Sequence, residues 1–173
     1  KDFIDGPLLT VAMPWRSNLF PIRFMVWDKA YYCRWLNFLI KSVGGFPIDR
    51  ENNSNMAART SLRILKNKGV LGICTEGRMV KHERLEGGRK GVAFLALKTK
   101  ALILPVAIRG ILGASFKNFL LRRNRVTVII GKPFYLPKEL KFKDKEDLIF
   151  GAKIVMREIG ELYYEPVDPK QWQ

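Results

Sequence analysis

Short apolar runs alternate along the chain with longer segments in which apolar residues recur at helical spacing. The runs of strand length are residues 22–27, 46–48, 70–74, 102–108 and 126–131. The helical patterns cover residues 30–43, 54–67, 90–100 and 144–163. This alternation predicts an α/β fold with a mixed, largely parallel sheet flanked by helices.

Glycine, proline and capping residues indicate where the predicted helices and strands begin, end or are interrupted. Gly44 and Gly69 follow two of the helical patterns and are typical helix stops. Asp144 is predicted to cap the last helix, with Asp147 at the third helical position of a capping box. Pro105 lies inside the fourth apolar run, which predicts an edge strand or an irregular ladder there.

The length and composition predict one domain. The chain has 173 residues, of which 47% are hydrophobic, so it can bury a core of its own. We expect residues 1–173 to form a single domain that is cropped at its N-terminus, because the sequence opens on Lys1 and Asp2 without Met. Residues 91–108 are the most apolar stretch, but Lys98 and Lys100 interrupt them before they reach the roughly 18 residues that a spanning helix needs.

The charge balance predicts a polyanionic partner. Lys and Arg number 31 against 16 Asp and Glu, a formal net charge of +15. Nucleic acid, an anionic membrane face or a phosphorylated substrate would each suit this excess. The cations are spread along the chain without a motif that reads RNA or DNA, which disfavours nucleic acid. The two cysteines, Cys33 and Cys74, have no metal or disulfide spacing, so no metal site is expected.

The stretch V-L-G-I-C-T-E-G-R at 70–78 is the first candidate site. A buried strand is predicted to end in a polar turn that holds an acid and a guanidinium at a pocket mouth. Gly77 permits a tight turn or a close approach to a ligand, and Arg78 offers donors that suit phosphate. By itself the turn is better explained as a solvated strand exit, and only the motifs in the rest of the chain favour a binding site.

Four segments together resemble a known family. They are K-D-F-I-D at 1–5, G-G-F-P-I-D-R at 44–50, T-E-G-R at 75–78 and L-P-V-A-I at 104–108. Their order and spacing resemble the motifs of the glycerophospholipid acyltransferase family, which contains 1-acylglycerol-3-phosphate O-acyltransferases, over nearly the whole chain. The resemblance implies a glycerol-3-phosphate acyltransferase-like fold.

The same resemblance implies a reaction. The family transfers an acyl group from acyl-CoA or acyl carrier protein, as co-substrate, to the hydroxyl of a lysophospholipid such as 1-acylglycerol-3-phosphate. This reaction belongs to phospholipid biosynthesis or remodelling and uses no bound cofactor. Two alternatives are a catalytically inactive lipid-binding relative and a basic nucleic-acid-binding module.

The resemblance also implies catalytic residues. Asp5 matches the aspartate of the family motif H-x-x-x-x-D, whose histidine falls immediately before Lys1. We therefore expect the 173 residues alone to be inactive. Glu76 is expected to hydrogen-bond a glycerol hydroxyl or to orient an arginine.

Substrate binding is implied for Arg50, Gly77, Arg78, Arg89 and Pro105. Arg50 and Arg78 would bind the acceptor phosphate, although Arg50 is also readily explained as a surface arginine. For Arg89, beside a predicted helix N-terminus, solvent exposure and phosphate binding are equally good explanations. Pro105 has a role in acyl-chain binding only through the resemblance.

The third motif departs from the family pattern, because Met79 stands where the family often has arginine and Thr75 replaces a common proline. A lysine that the family often carries after the first motif is Trp27 here. His82, the only histidine, has charged neighbours and is interpreted as a surface residue, and Cys74 as an inert core cysteine.

The resemblance to the acyltransferase family also implies a location. We expect the protein at the cytoplasmic face of a membrane, held peripherally or anchored by residues upstream of Lys1. The basic segments 122–125 and 138–145 would face the anionic surface.

Overall fold

The chain is represented by a computed structural model, which describes residues 21–27, 38, 40–41, 44–48, 54–75, 87–110 and 126–164. Strands and helices alternate through most of these residues, which confirms the predicted α/β class. The described elements are β1 (Ile22–Trp27), β2 (Gly45–Ile48), α1 (Ser54–Lys66), β3 (Val70–Gly72), α2 (Lys90–Thr99), β4 (Val106–Arg109), β5 (Thr127–Ile130) and α3 (Lys145–Tyr164).

The first three strands form a parallel sheet in the order β2-β1-β3. Phe24 in the central strand is aligned with Gly45 on one side and with Gly72 on the other. A Cβ atom on Gly72 would lie 2.3 Å from Cε1 of the Phe24 ring, so this strand approaches the ring more closely than any side chain would permit. Glycine at this position is what lets β3 pair beside Phe24.

The parallel sheet contributes the smaller of two buried clusters. Ile22 and Phe24 are its buried residues, and Val70, Leu104 and Val106 pack against them. Leu104 precedes β4 and Val106 begins it, so the cluster joins the parallel sheet to the next strand.

β4 and β5 form an antiparallel pair whose ladder is irregular beside Pro105. Val106 pairs with Ile130, and an isolated bridge joins Ile103 to Phe134. These two pairings are three residues apart on one strand and four on the other, so one extra residue is accommodated between Gly131 and Phe134. The irregular ladder expected around Pro105 is confirmed. The strand predicted over 102–108 begins only at Val106, because proline has no N–H to donate.

The larger cluster holds α2 against α3. Ala93, Ala96, Ala152 and Val155 are buried at this contact, together with Leu136. Small side chains let the two helix backbones approach closely, and a Cβ on Gly151 would lie 3.0 Å from that of Ala93. Among the described helices, none is long and apolar enough to cross a membrane.

The N-terminus of α3 follows the prediction in part. The Glu146 N–H donates to Oδ1 of Asp144 at 2.8 Å, which confirms Asp144 as the cap. Asp147 does not close the predicted capping box, because its Oδ2 accepts instead from the Lys141 N–H at 2.8 Å. Asp147 therefore links the first turn of the helix to the preceding loop instead of bonding back to the cap residue.

Gly44 offers a test of this architecture. Its φ is +78°, and a Cβ there would lie 2.5 Å from the Ile22 carbonyl oxygen. Gly44→Ala should lower the free energy of unfolding by about 2 kcal/mol, because it adds left-handed strain and a clash with backbone. Urea denaturation followed by circular dichroism measures this.

Gly91→Ala is the matched control, since a Cβ at that position of α2 contacts nothing within 4 Å. Its stability should stay unchanged or rise by up to about 1 kcal/mol through helix propensity. A Gly44→Ala protein as stable as the parent would contradict the positive φ of Gly44 and its close approach to Ile22.

Candidate active site

The carboxyl ends of β2 and β3 lie at one edge of the parallel sheet. From the aligned row of Gly45, Phe24 and Gly72, the chain reaches Ile48 and Thr75 after the same number of residues. The two strands flank β1, so they are about 10 Å apart. The carboxyl edge of a parallel sheet is where α/β proteins bind ligands. Arg50 follows Ile48 by two residues and Glu76 follows Thr75 directly, so both segments leave the sheet at this edge.

A hydrogen bond brings the start of α2 to the same edge. The backbone N–H of Arg89 donates to the carbonyl oxygen of Thr75 at 2.9 Å. Arg89 is thereby fixed beside the residue that precedes Glu76.

The N-terminus of α2 has features that suit an anion. Arg89 occupies the N-cap position in extended backbone (φ −78°, ψ 143°), without a side-chain hydrogen bond to the helix. The first turn contains no acidic residue and includes Lys90. Helix N–H groups at this end have no intrahelical partner and carry partial positive charge. Arg89 and Lys90, both exposed, add two full charges beside them.

Of the seven residues predicted for the site, the structure describes Arg89 and Pro105. Asp5, Arg50, Glu76, Gly77 and Arg78 lie outside the described residues, as does His82. For Arg50 and Glu76 only the approach of the neighbouring chain is fixed, and their side-chain roles stay predictions.

Pro105 lies in the core beneath the β4–β5 ladder. It is buried, and its carbonyl oxygen accepts from the Gly131 N–H at 2.9 Å. A Cβ on Gly131 would meet Pro105 Cγ at 2.9 Å and Leu162 Cδ1 at 2.7 Å. In the described structure Pro105 therefore packs where the ladder meets α3.

Cys74 was predicted to be a core cysteine, and this prediction is wrong. The strand that was expected to include it ends at Gly72, and Cys74 is exposed. The pairing with β1 stops at Phe24, so nothing in the ladder holds Cys74 in the sheet. No group of three or more potential metal ligands occurs among the residues that the structure describes.

An open groove of about 840 Å³ lies between the start of α2 and one face of α3. It was not anticipated from the sequence, although the α3 residues that line it recur at the spacing of one helical face. Its described lining residues are Gly87, Gly88, Arg89, Lys90, Ile149, Lys153, Met156, Arg157, Gly160 and Tyr164.

Gly88 sets how closely the two sides of this groove approach. A Cβ on Gly88 would lie 2.6 Å from Cγ of Met156 and 3.4 Å from the Ala152 carbonyl oxygen. The absence of a side chain at this position lets α3 pack directly against the segment that enters α2.

Comparisons with known proteins give matches over most of the chain. The family model described as Acyltransferase matches residues 1–109. A curated 1-acyl-sn-glycerol-3-phosphate acyltransferase of Bacillus subtilis is 24% identical over 143 residues, which are 83% of this chain and 69% of the relative. One of the same name from Streptococcus pneumoniae is 28% identical over 149 residues, 86% of this chain and 53% of the relative.

A solved structure shares the fold. The crystal structure of the 1-acyl-sn-glycerophosphate (LPA) acyltransferase PlsC from Thermotoga maritima superposes with a TM-score of 0.59 at 22% identity. The match covers 86% of this chain and 59% of that one. The chain thus spans between about half and about two thirds of the length of these proteins.

Amide hydrogen exchange tests the closure at the sheet edge. The Arg89 amide should exchange at least about tenfold more slowly than the Gly91 amide, after correction for intrinsic rates. The Arg89 N–H is held by the Thr75 carbonyl, whereas first-turn N–H groups have no intrahelical partner. Exchange followed by two-dimensional NMR measures both. Equal rates for the two amides would show that Arg89 is not held beside Thr75.

Proposed function

Because the chain belongs to the acyltransferase family, we propose that it transfers an acyl group to a lysophospholipid hydroxyl. The acceptor is 1-acylglycerol-3-phosphate or a close relative, and the donor is an acyl thioester on coenzyme A or acyl carrier protein. The names of the two curated relatives support this choice of acceptor. The product serves phospholipid biosynthesis or remodelling.

One observation carries the proposal. The chain segments that lead to Arg50 and Glu76 leave the sheet at the same edge, where Arg89 is bonded to Thr75. Two motif segments and the start of α2 therefore approach the same edge of the sheet. An acyltransferase site needs such a meeting of cations and a carboxylate, since it binds a phosphorylated acceptor and orients its hydroxyl.

The reaction needs a base and no nucleophile of the enzyme's own. The acceptor hydroxyl oxygen attacks the thioester carbonyl carbon, its proton passes to an imidazole, and the carbon–sulfur bond breaks. The thiolate then takes the proton. The imidazole is that of the motif histidine expected immediately before Lys1, and Asp5 holds it in the correct tautomer and stabilises its charged form. Activity therefore requires the residue that precedes Lys1.

Five further residues of the predicted site act on the acceptor. Arg50, Arg78 and Arg89 contact its phosphate, for which guanidinium groups offer paired donors. Gly77 allows the backbone to approach the ligand, and Glu76 orients a glycerol hydroxyl or one of the arginines. Pro105 acts through packing that supports β4, in keeping with its burial.

The protein works at the cytoplasmic face of a membrane, peripherally or anchored by upstream residues. The segment from 138 to 145 supports this location, because its four lysines are all exposed. Each contributes on the order of 1 kcal/mol near an anionic leaflet. Those lysines are Lys138, Lys141, Lys143 and Lys145.

Substitution of the two predicted catalytic carboxylates tests the reaction. In the protein expressed with its upstream residues, Asp5→Asn and Glu76→Gln should each lower kcat/KM by about 10²-fold or more, since each weakens base function or acceptor orientation. Release of free thiol from acyl-CoA, in the presence of 1-acylglycerol-3-phosphate, measures the rate.

His82→Ala is the control for these variants and should keep the parent rate. If His82→Ala alone abolished turnover while Asp5→Asn and Glu76→Gln did not, the site assignment would be wrong. A parent protein that binds the lysophospholipid but transfers no acyl group would instead be an inactive relative.

Arg89→Gln tests phosphate binding. It should raise KM for 1-acylglycerol-3-phosphate about tenfold and change kcat less, because a charge-assisted contact worth about 1.5–3 kcal/mol is lost. Lys100→Gln, at the opposite end of α2, is the matched control and should leave KM unchanged. An unchanged KM in Arg89→Gln would favour the solvent-exposed interpretation of Arg89.

A further inference from the structure

The groove between α2 and α3 is cationic on both sides. Arg89 and Lys90 line it at the start of α2, and Lys153 and Arg157 line it on α3. None of its described lining residues is acidic. Four cations around one concavity, without a carboxylate among the described residues that line it, favour an occupant with several negative charges.

The shape of the groove favours a small molecule over a flat surface. Its volume of about 840 Å³ lies within the range of roughly 300–1,000 Å³ that is usual for ligand pockets. Ile149, Met156 and Tyr164 give it an apolar component, and Tyr164 is 63% exposed. An exposed tyrosine ring in a groove that cations also line suits a planar heterocycle that carries phosphates.

The groove is connected to the proposed reaction edge. Its first lining residues are the glycines that lead into Arg89, whose N–H is bonded to Thr75. Thr75 directly precedes Glu76. A ligand in the groove can therefore extend a flexible arm past Arg89 to the edge where the β2 and β3 segments meet.

We propose that this groove binds the phosphorylated nucleotide of acyl-CoA and so makes coenzyme A the carrier of the acyl donor. The adenine stacks near Tyr164, the phosphates contact Lys153 and Arg157, and the pantetheine arm carries the thioester toward the reaction edge. The inference rests on the proposed acyl transfer and adds to it the donor and the residues that select it.

The ion pairs of Arg157 do not prevent this contact. Arg157 bonds Glu158 at 3.0 Å and lies 3.7 Å from Glu161. Neither carboxylate lines the groove. The Arg157 side chain is 65% exposed, and ion pairs between exposed side chains contribute little because water screens them. A phosphate can therefore compete for the guanidinium.

Lys153→Glu is the principal test. It should raise KM for acyl-CoA about tenfold, with KM for the lysophospholipid unchanged, because a favourable charge is replaced by a repulsive one. The difference should shrink as ionic strength rises. Lys66→Glu is the matched control, since it reverses an exposed lysine at the end of α1, which leads into the start of β3 and does not line the groove. Equal KM values for acyl-CoA in Lys153→Glu and Lys66→Glu would overturn the proposal.

Acyl-pantetheine isolates the nucleotide, because it carries the same thioester without adenine or phosphates. The parent protein should use it with a higher KM than acyl-CoA, and Lys153→Glu should use it as well as the parent does. A Lys153→Glu defect that persists with acyl-pantetheine would show that the substitution damages something other than nucleotide binding. Lys153→Gln repeats the test without charge reversal if Lys153→Glu unfolds at a lower temperature than the parent.

Direct binding separates this inference from the proposed reaction. Calorimetric titration with coenzyme A needs no turnover, and Lys153→Glu should weaken the affinity about tenfold. Normal acyl transfer with coenzyme A binding equal in parent and variant would leave the reaction standing and reject the groove. If Lys153→Glu weakened coenzyme A binding but the parent transferred no acyl group, the groove would be supported and the proposed reaction rejected.

Two further outcomes would also reject the groove assignment. One is a Lys153→Glu defect confined to acyl carrier protein as donor. The other is a Lys153→Glu protein that no longer sediments with phosphatidylglycerol vesicles but binds coenzyme A as the parent does. That result would make the groove a membrane contact.

Discussion

Phe24, in the central strand of the parallel sheet, is aligned with a glycine in each neighbouring strand, and this register positions the ends of both neighbours. Gly45 and Gly72 both pair with this residue of the central strand, and Gly72 leaves room for the ring. Two parallel neighbours in register must end at the same edge of the sheet. A slip of one residue would shift one strand end by about 3.3 Å and turn its side chains to the other face. The register at Phe24 therefore sets the edge of the sheet at which β2 and β3 both end.

α3 has the second organising role, because it packs on α2 and is held at its far end by β4. Arg109 donates a hydrogen bond to the Leu162 carbonyl oxygen and lies 5.9 Å from the centre of the Tyr163 ring. A guanidinium at the carboxyl end of a helix is favoured by the helix dipole and satisfies a carbonyl that lacks an intrahelical partner. The last turn of α3, which brings Tyr164 to the groove, is thus fixed by the strand that follows Pro105. Core packing and the shape of the groove are set by the same helix.

The excess positive charge becomes informative once it is placed on this framework. A net charge of +15 opposes compaction and is compatible with several polyanions. The start of α2 and one face of α3 concentrate part of that charge around a concavity near the carboxyl edge, whereas the lysines of 138–145 remain exposed outside it. Two sets of cations with different surroundings favour two anionic partners, a phosphorylated ligand and a lipid surface. Burial of either set against an anion would offset repulsion that the free protein carries.

Local sequence patterns were enough to predict the order of the described elements, the bounds of β1, the N-cap at Asp144 and the motif segments, because hydrophobic spacing, glycine stops and capping side chains act within a few residues. Asp5, Arg50, Glu76, Gly77 and Arg78 were chosen on that information alone, and their side-chain roles stay predictions. Tertiary contacts were needed to establish that β3 ends at Gly72, that Cys74 is exposed, that Asp147 bonds Lys141, and that Lys153 lines the same groove as Arg89. Each of these depends on a partner distant in the chain: the pairing with β1 sets the length of β3, and the packing of α3 on α2 creates the groove. Local pattern carries no information about which distant surfaces will meet.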